Sequence, residues 1–218
     1  MPSTASTTER VHPGSGDMMH GMGELILIRH GETEWSRSGQ HAGRTDIPLT
    51  EAGVAAGKAL APVLARRHLA AAFSSPLSRA MRTAELAGLT GVKPVPDLLE
   101  WDYGGYEGMT ASQIQELRPG WDLWRDGVIP GDTSHPGETL QQVAARTDAL
   151  LDRVRPLLYD GDGDVALVAH GHLQRVLTSR WLGLDPSAGR LFRHPHPGTL
   201  SALGIEHEHT VVSTWNVP

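Results

Sequence analysis

The chain has 218 residues, of which 39% are hydrophobic and 20% charged, a composition typical of a globular protein. This length suits one domain with a sizeable core, or at most two small ones. There are no cysteines, which excludes disulfides, thiolate chemistry and cysteine-ligated zinc. The net formal charge is −6 and no basic run stands out, so we expect no nucleic-acid partner. Any phosphate ligand would need a local cluster of cations, because the protein as a whole does not attract anions.

Residues 1–23 are rich in Ser, Thr, Gly and Pro, which predicts a flexible N-terminal extension before a domain spanning residues 24–218. The extension lacks the apolar core of a signal peptide. No apolar run in the chain approaches the ~20 residues that a membrane helix needs. We therefore expect a cytoplasmic protein without a membrane partner, and we derive no function for the extension.

The first half of the domain alternates short apolar runs with helical patterns. Residues 25–28 are apolar without alternation, as in a strand buried on both faces. Residues 50–67 predict a helix with Thr50 as its N-cap. A second apolar run at residues 70–73 predicts another strand, and residues 77–86 a second helix.

The second half continues this alternation after an irregular excursion. We expect a weaker extended segment at residues 95–99, then a stretch rich in Gly, Trp, Pro and Asp at residues 101–136. The remaining predictions are short helices at 111–117 and 121–125, a long helix at 137–159, a strand at 164–169, a helix at 171–181, and a terminal hairpin formed by 200–206 and 210–215.

This order predicts an α/β three-layer sandwich with a mainly parallel central sheet flanked by helices. In such sheets, sites form beyond the carboxyl ends of the strands. Polar groups follow three of the predicted strands: Arg29 with His30, then residues 74–79, then His170. We therefore expect these side chains to meet at one edge of the sheet.

The tripeptide Arg29-His30-Gly31 suggests phosphate chemistry. A neutral histidine held in one tautomer can accept a phosphoryl group through a ring nitrogen. An adjacent arginine offers a forked donor for phosphate oxygens, and a glycine lets the backbone approach an anion closely. The alternative is a core histidine beside a surface arginine, and the tripeptide by itself does not exclude it.

The longer run RHGETEW, residues 29–35, resembles the signature of the histidine phosphatase superfamily, also called the phosphoglycerate mutase-like family. Four further segments resemble the motifs of that family in the same order, at residues 43–50, 74–84, 99–108 and 168–172. The resemblance covers about residues 24–216 and implies the same layered fold. It is strongest toward a group of actinobacterial acid phosphatases and a group of fungal sugar-bisphosphate phosphatases, through segments such as EWDYGGYEGMT.

The resemblance also implies a set of site residues. The catalytic residues that it implies are His30, Glu100, Arg29, Arg79 and His170. The substrate-binding residues that it implies are Thr33, Ser36, Gln40, Gly43, Gly171 and His172. Ser36 occupies a position where relatives often carry Asn. Arg82, one helical turn beyond Arg79, is expected to support the site from behind.

The mechanism that the resemblance implies begins with His30 attacking the phosphorus atom. Arg29, Arg79 and a protonated His170 would neutralise the phosphoryl oxygens. Glu100 would give a proton to the leaving group and then take one from water, so we expect an acidic to neutral pH optimum.

Two arginines would replace a metal ion in this scheme, so we expect neither a metal nor a cofactor. His207 and His209 could share one face of a strand and chelate a metal, but no third ligand is evident in the sequence.

Family membership leaves the reaction open. Phosphoglycerate mutases of the family carry a basic insertion after the Glu segment, whereas residues 108–131 here are short and contain only Arg118 and Arg125 as basic residues. We therefore favour a phosphatase acting on a small phosphorylated metabolite. The alternatives are a phosphoglycerate mutase and a non-catalytic phospho-ligand binder. A homodimer is expected only because many relatives dimerise.

Two segments are expected to shape the pocket for the leaving group, residues 101–136 and 190–199. The excursion contains four aromatic residues that could stack on a ligand, although we expect them to pack in the core: Trp101, Tyr103, Trp121 and Trp124.

Overall fold

A computed structural model describes residues 22–159 and 163–218. Residues 1–21 of the predicted extension therefore lie outside the described part of the chain. The sheet has six strands in the order β3-β2-β4-β1-β5-β6. The strands are β1 (Leu25–Arg29), β2 (Leu69–Ser74), β3 (Lys93–Pro94), β4 (Asp164–Ala169), β5 (Leu200–Glu206) and β6 (His209–Val217).

The first four strands are parallel, and the terminal hairpin adds two antiparallel pairings. Strand β4 lies between β1 and β2, with Leu27 opposite Leu167 and Phe73 opposite the same residue. Strand β5 runs antiparallel to β1, and β6 antiparallel to β5. Within the described residues the sheet is therefore mixed, with a parallel half that carries the strand ends predicted to hold the site.

Strand β1 is buried on both faces, as its apolar run predicts. Leu25 and Leu27 belong to one core cluster, whereas Ile26 and Ile28 belong to the other, on the opposite face. This alternation follows from the two-residue period of a strand. The two clusters account for the three layers, since each face of the sheet needs helices to cover it.

The helices of the described chain are α1 (Glu34–Ser38), α2 (Glu51–Leu64), α3 (Ser78–Leu86), α4 (Ala111–Leu117), α5 (Leu123–Asp126), α6 (Leu140–Tyr159) and α7 (Gly171–Trp181). Helices α2 and α3 pack on the face of Ile26 and Ile28. Helices α6 and α7 pack on the other face. The fold is thus the α/β sandwich that the sequence predicts. None of the described helices has the length and apolar character needed to cross a membrane.

The prediction of an extended segment at residues 95–99 is wrong. The edge strand β3 ends at Pro94, and residues 96–98 form a 3-10 turn with Pro96 at its start. Neither proline has a backbone N–H to donate to a ladder, and Pro96 favours the first position of a helical turn. Only Val95 continues the pairing, since its N–H donates to the carbonyl of Ser74 at 2.8 Å.

The terminal hairpin separates the two histidines that were considered as a chelating pair. His207 and Glu208 form its turn, with φ values of 47° and 68°. Two consecutive positive φ values are typical of the tight turn that joins antiparallel strands. His207 therefore lies in the turn and His209 in β6, so the two do not share one strand face. Among the described residues, no group of three or more His, Asp or Glu could hold a metal ion.

The carboxyl ends of β1, β2 and β4 meet at one edge of the sheet. The N–H of His30 donates to the carbonyl of Ala169 at 3.0 Å, and that of Ser75 to the carbonyl of Val168 at 2.9 Å. These bonds extend the parallel ladder by one residue beyond each strand. The predicted meeting of the three polar groups at one edge is therefore confirmed.

Candidate active site

A cavity of about 460 Å³ opens at this edge of the sheet. Its lining comes from residues between 29 and 42, from Glu100, Tyr103 and His172, and from the loop of residues 193–197. This volume lies within the range of about 300–1,000 Å³ typical of small-molecule sites. The site is therefore large enough for a phosphate group and an attached metabolite.

His30 is held as a neutral ring with one free nitrogen. Its Nδ1 lies 2.7 Å from the carbonyl oxygen of Gly31. A carbonyl can only accept, so Nδ1 carries the proton and Nε2 keeps its lone pair. Burial, followed by the charges of Arg79 and Arg29, lowers the pKa of His30 well below 6.5. The ring lines the cavity, where Nε2 keeps its lone pair.

His170 lies beside His30, with 5.0 Å between the ring centroids. The Nε of Arg79 donates to its Nδ1 at 3.3 Å, so Nδ1 is unprotonated and Nε2 carries the proton. That Nε2 is buried and has no hydrogen-bond partner among the described residues. Buried polar groups normally find partners, so this N–H is a donor available to an anion beside His30.

The mechanism expects a protonated His170 when phosphate is bound, whereas the ring is neutral in the free protein. Burial, the charge of Arg79, then His30 and Arg29 lower the pKa of His170 well below its ordinary value. A neutral ring still offers one N–H. His170 therefore offers a hydrogen-bond donor to the site rather than a full positive charge.

Arg79 lies behind His170 and does not line the cavity. Its side chain is fully buried at the start of α3. Its guanidinium donates to the carbonyls of Thr45, Ala42 and Gly43 at 2.7, 3.1 and 3.0 Å. Arg79 therefore fixes the loop of residues 42–46, orients His170, and places a positive charge behind both imidazoles.

Arg29 reaches the cavity directly. One terminal nitrogen of its guanidinium donates to the carbonyl of Pro195, and its buried Nε has no partner among the described residues. Burial lowers the pKa of Arg29 to about 10, with Glu100 opposing the shift. Because this value lies well above neutral pH, Arg29 remains a cation with an N–H free for an anion.

The carboxylate of Glu100 lines the same cavity and is fixed by three backbone N–H groups. Its Oε1 accepts from Trp101 and Leu173, both at 2.9 Å. Its Oε2 accepts from His172 at 3.0 Å. Two of these donors belong to the first turn of α7, where the unpaired N–H groups and the helix dipole favour negative charge. The carboxylate is therefore held in a defined position beside the phosphate site.

Three of the predicted substrate-binding residues line the cavity but already have local partners. Thr33 and Ser36 form a reciprocal capping box at the start of α1, with bonds of 2.9 and 3.1 Å. Gln40 donates to the carbonyl of Gly108 at 2.8 Å and accepts from Ser38 at 2.6 Å. These side chains shape the wall of the cavity, and a ligand would have to share or replace their hydrogen bonds.

The two predicted glycines lie behind the lining, where they allow close packing. A Cβ on Gly43 would lie 2.5 Å from the carbonyl oxygen of Trp101. A Cβ on Gly171 would lie 2.3 Å from the ring of His194. Gly171 therefore allows that ring to pack over the start of α7.

His172, the last predicted residue, lies within a cluster of rings that the sequence did not reveal. Its Nδ1 accepts from the hydroxyl of Tyr103 at 2.7 Å, since burial raises the pKa of Tyr103 and keeps the phenol protonated. Its ring is 4.8 Å from that of His194 and 6.2 Å from that of His41, centroid to centroid. Burial is the largest cause that lowers the pKa of His172 well below 6.5. It also lowers the pKa of His194, to about 2.

Tyr103 was expected in the core; it is buried but also lines the cavity. Trp101 and Trp121 are core residues as expected, and Trp124 packs against the same cluster. The loop of residues 193–197 contributes to the lining, in agreement with the expectation for residues 190–199. The sequence pattern of this loop, Arg-His-Pro-His, did not identify Arg193 and His194 as site residues.

Three other arginines lie away from the site. Arg82, expected to support it, instead pairs on the surface with Glu85 at 2.6 Å. Arg118 and Arg125 pair with Asp126 at 3.7 and 2.8 Å. None of the three lines the cavity, so the segment after Glu100 supplies no cation to it.

The family model for the histidine phosphatase superfamily, branch 1, matches residues 25–218. The chain belongs to the histidine phosphatase superfamily. The histidine phosphatase family hydrolyses phosphoric monoesters, and several relatives of this chain are named as phosphatases.

Relatives within the superfamily include both phosphatases and mutases. An acid phosphatase of Mycobacterium tuberculosis is 37% identical, covering 84% of this chain and 87% of that protein. The sedoheptulose 1,7-bisphosphatase of Saccharomyces cerevisiae is 34% identical, covering 73% and 67%. A probable phosphoglycerate mutase of Yersinia enterocolitica is 33% identical, covering 88% and 89%. A solved structure of an open reading frame product from M. tuberculosis has a TM-score of 0.82 and 33% identity, covering 89% of this chain and 97% of that one.

Proposed function

We propose that this histidine phosphatase is a metal-independent phosphomonoesterase that hydrolyses a small phosphorylated metabolite through a phosphohistidine on His30. The observation that carries the proposal is the state of His30, a neutral imidazole with its Nε2 unpaired in a cavity that also holds Arg29 and Glu100.

The phosphate group would bind between two hydrogen-bond donors, with a further positive charge behind one of them. Arg29 supplies a charged guanidinium with an unpaired N–H, and His170 supplies an unpaired neutral N–H. Arg79 adds positive charge from behind His170. Phosphoryl transfer depends mainly on positioning and charge stabilisation. Preorganised cations can therefore stabilise the negative charge on the phosphoryl oxygens, as a metal ion does in other enzymes.

The first chemical step would be in-line attack of His30 Nε2 on phosphorus. A P–N bond forms while the bond to the ester oxygen breaks, and the electron pair leaves with that oxygen. Glu100, in its protonated form, gives a proton to the leaving oxygen. In the second step Glu100 removes a proton from water, the water oxygen attacks phosphorus, and the P–N electron pair returns to His30.

Hydrolysis is favoured over mutase chemistry by the segment after Glu100. Its two arginines are engaged with Asp126 on the surface, so it offers no basic group for the carboxylate of a phosphoglycerate. The names of the acid phosphatase and bisphosphatase relatives agree with this. The mutase remains the second candidate because of the relative from Yersinia and because Arg193 offers the cavity another cation.

The deciding experiment is phosphate release from 4-nitrophenyl phosphate and from 3-phosphoglycerate, in a metal chelator, with and without 2,3-bisphosphoglycerate. We expect release that persists in chelator and needs no bisphosphate. Interconversion of 2- and 3-phosphoglycerate that depends on the bisphosphate would instead establish a mutase. Phosphate binding without turnover in any of these reactions would identify a binding protein.

The acidic side of the pH profile should reflect the environment of His30. Protonation of Nε2 would remove the attacking lone pair, and the pKa of His30 is lowered well below 6.5. We therefore expect kcat/KM for 4-nitrophenyl phosphate to persist below pH 6.5 and to fall only in more acidic buffer. Initial rates between pH 4 and 9 test this. A loss of activity centred on pH 6.5 would show an ordinary imidazole and contradict the assignment.

A further inference from the structure

The loop of residues 193–197 is fixed at the mouth of the cavity. The indole N–H of Trp215 donates to the carbonyl of Arg193 at 3.0 Å, and the N–H of His196 donates to the side chain of Asn216 at 2.6 Å. On the inner side, Arg29 donates to the carbonyl of Pro195. Contacts from β6 and from the end of β1 therefore hold the loop, and its two prolines restrict it further.

The charge of the cavity is opposite to that of the whole chain. Two arginines line it, and Glu100 is the one carboxylate among the described lining residues. The chain as a whole has a net formal charge of −6. One phosphate group would occupy the inner cations near His30, which leaves the outer part of this lining without a counter-charge.

Arg193 is the outer cation. Its guanidinium has no carboxylate within 4.0 Å among the described residues, unlike Arg37, which forms ion pairs of 2.6 and 3.0 Å. Its NH2 donates to Nε2 of His196 at 3.1 Å, which orients both side chains. Arg193 and His196 are exposed while His194 is partly buried beneath them. The three therefore present donors at the rim without an internal acidic partner.

The two cavity arginines have different surroundings. Arg29 is enclosed beside the His30 and His170 pair, whereas Arg193 is exposed in the loop that Arg29 contacts through Pro195. The cavity of about 460 Å³ connects them and exceeds what a single phosphate group fills. An elongated ligand with an anion at each end matches this arrangement.

We infer that Arg193, with His194 and His196, forms a second anion subsite, so that the preferred substrates are phosphomonoesters with a second anionic group, such as a sugar bisphosphate or a phosphorylated sugar acid. The inference rests on the proposed function, since it names the substrate class of the same cavity. The inner end takes the phosphate to be transferred, and the outer end holds the second anion and sets the orientation of the substrate.

The test compares paired substrates with matched variants. The bisphosphate arm uses fructose 1,6-bisphosphate against fructose 1-phosphate and fructose 6-phosphate. The carboxylate arm uses 3-phosphoglycerate against glycerol 3-phosphate, which distinguishes the two anions. The variants are Arg193→Ala and, as control, Arg190→Ala, which removes an exposed arginine three residues away that does not line the cavity.

We expect the wild type to prefer one doubly anionic substrate over its singly anionic partner by about ten-fold in kcat/KM, which is the value of one charge-assisted hydrogen bond. Arg193→Ala should remove this preference mainly through KM, and Arg190→Ala should retain it. Equal kcat/KM within each pair, or an equal loss for both members in Arg193→Ala, would overturn the inference.

A binding measurement separates this inference from the proposed function. Calorimetric titration of fructose 1,6-bisphosphate and of 3-phosphoglycerate into His30→Ala, with and without Arg193→Ala, reports the subsite without turnover. Weaker binding of either probe by about ten-fold in the double variant would support the subsite even if no substrate were hydrolysed. Unchanged binding of both would refute it even if the wild type were an active phosphatase.

Discussion

Replacing His30 by alanine is expected to lower kcat for 4-nitrophenyl phosphate by on the order of 10⁴-fold or more, because the variant has no nucleophile. The remaining groups of the site could still bind the substrate, so KM should change far less than kcat. Steady-state phosphate release measures both constants. A quench experiment with phosphate-labelled substrate should also show an acid-labile, base-stable label on the wild type and none on the variant, as a phosphorus–nitrogen bond requires.

His209→Ala is the matched control for this experiment. It makes the same substitution at an exposed histidine of β6 that does not line the cavity. We expect it to retain wild-type activity and labelling. Labelling that persisted in His30→Ala would contradict the assignment and would direct attention to His170, whose ring lies 5.0 Å from that of His30. A thermal melt of each variant shows whether any loss of activity follows from unfolding.

Replacing Glu100 by glutamine should have an effect that depends on the leaving group. For an alkyl phosphate such as glycerol 3-phosphate, kcat should fall by about 10²–10⁴-fold, because the alkoxide leaves without a proton. For 4-nitrophenyl phosphate the leaving phenolate needs no proton, so the first step should stay fast. Hydrolysis of phospho-His30 still needs a base, so the phosphoenzyme should accumulate. Rapid-quench kinetics should therefore show a burst of nitrophenol that the wild type lacks.

This variant also has a structural cost. The carboxylate accepts two backbone N–H bonds at Oε1 and one at Oε2, and the amide nitrogen of glutamine, which replaces one of these oxygens, cannot accept. We expect a loss of about 1–3 kcal/mol in the free energy of unfolding. Glu138→Gln is the control, since Glu138 accepts from the N–H of Asp102 at 2.9 Å but does not line the cavity. It should lose stability without changing the leaving-group dependence. Equal losses on both substrates in the rate of the first step, with no burst of nitrophenol, would argue against a role of Glu100 in proton transfer.

The sequence determined the fold and the inner part of the site for reasons that are local. The apolar run of β1 fits a strand buried on two faces, and parallel strands bring their carboxyl ends to one edge. Arg29, His30 and His170 follow those ends directly, so their meeting required no knowledge of the packing. Their relation to Glu100 came from the resemblance to the superfamily, since Glu100 lies in an irregular segment with no period to place it.

Tertiary structure decided the charge states, the direction of the long side chains and the outer wall. Burial and neighbouring cations lower the pKa of His170 and keep it neutral. Neither its burial nor its neighbours can be known from the sequence before the chain is packed. Arg79 and Arg82 are three residues apart in one helix, yet one is buried behind the site and the other is paired on the surface. Arg193 reaches the cavity only because Trp215, Asn216 and Arg29 fix its loop from distant parts of the chain. The sequence by itself therefore determined which groups can perform the chemistry, whereas packing between remote segments decided their protonation and the second cation that a substrate would meet.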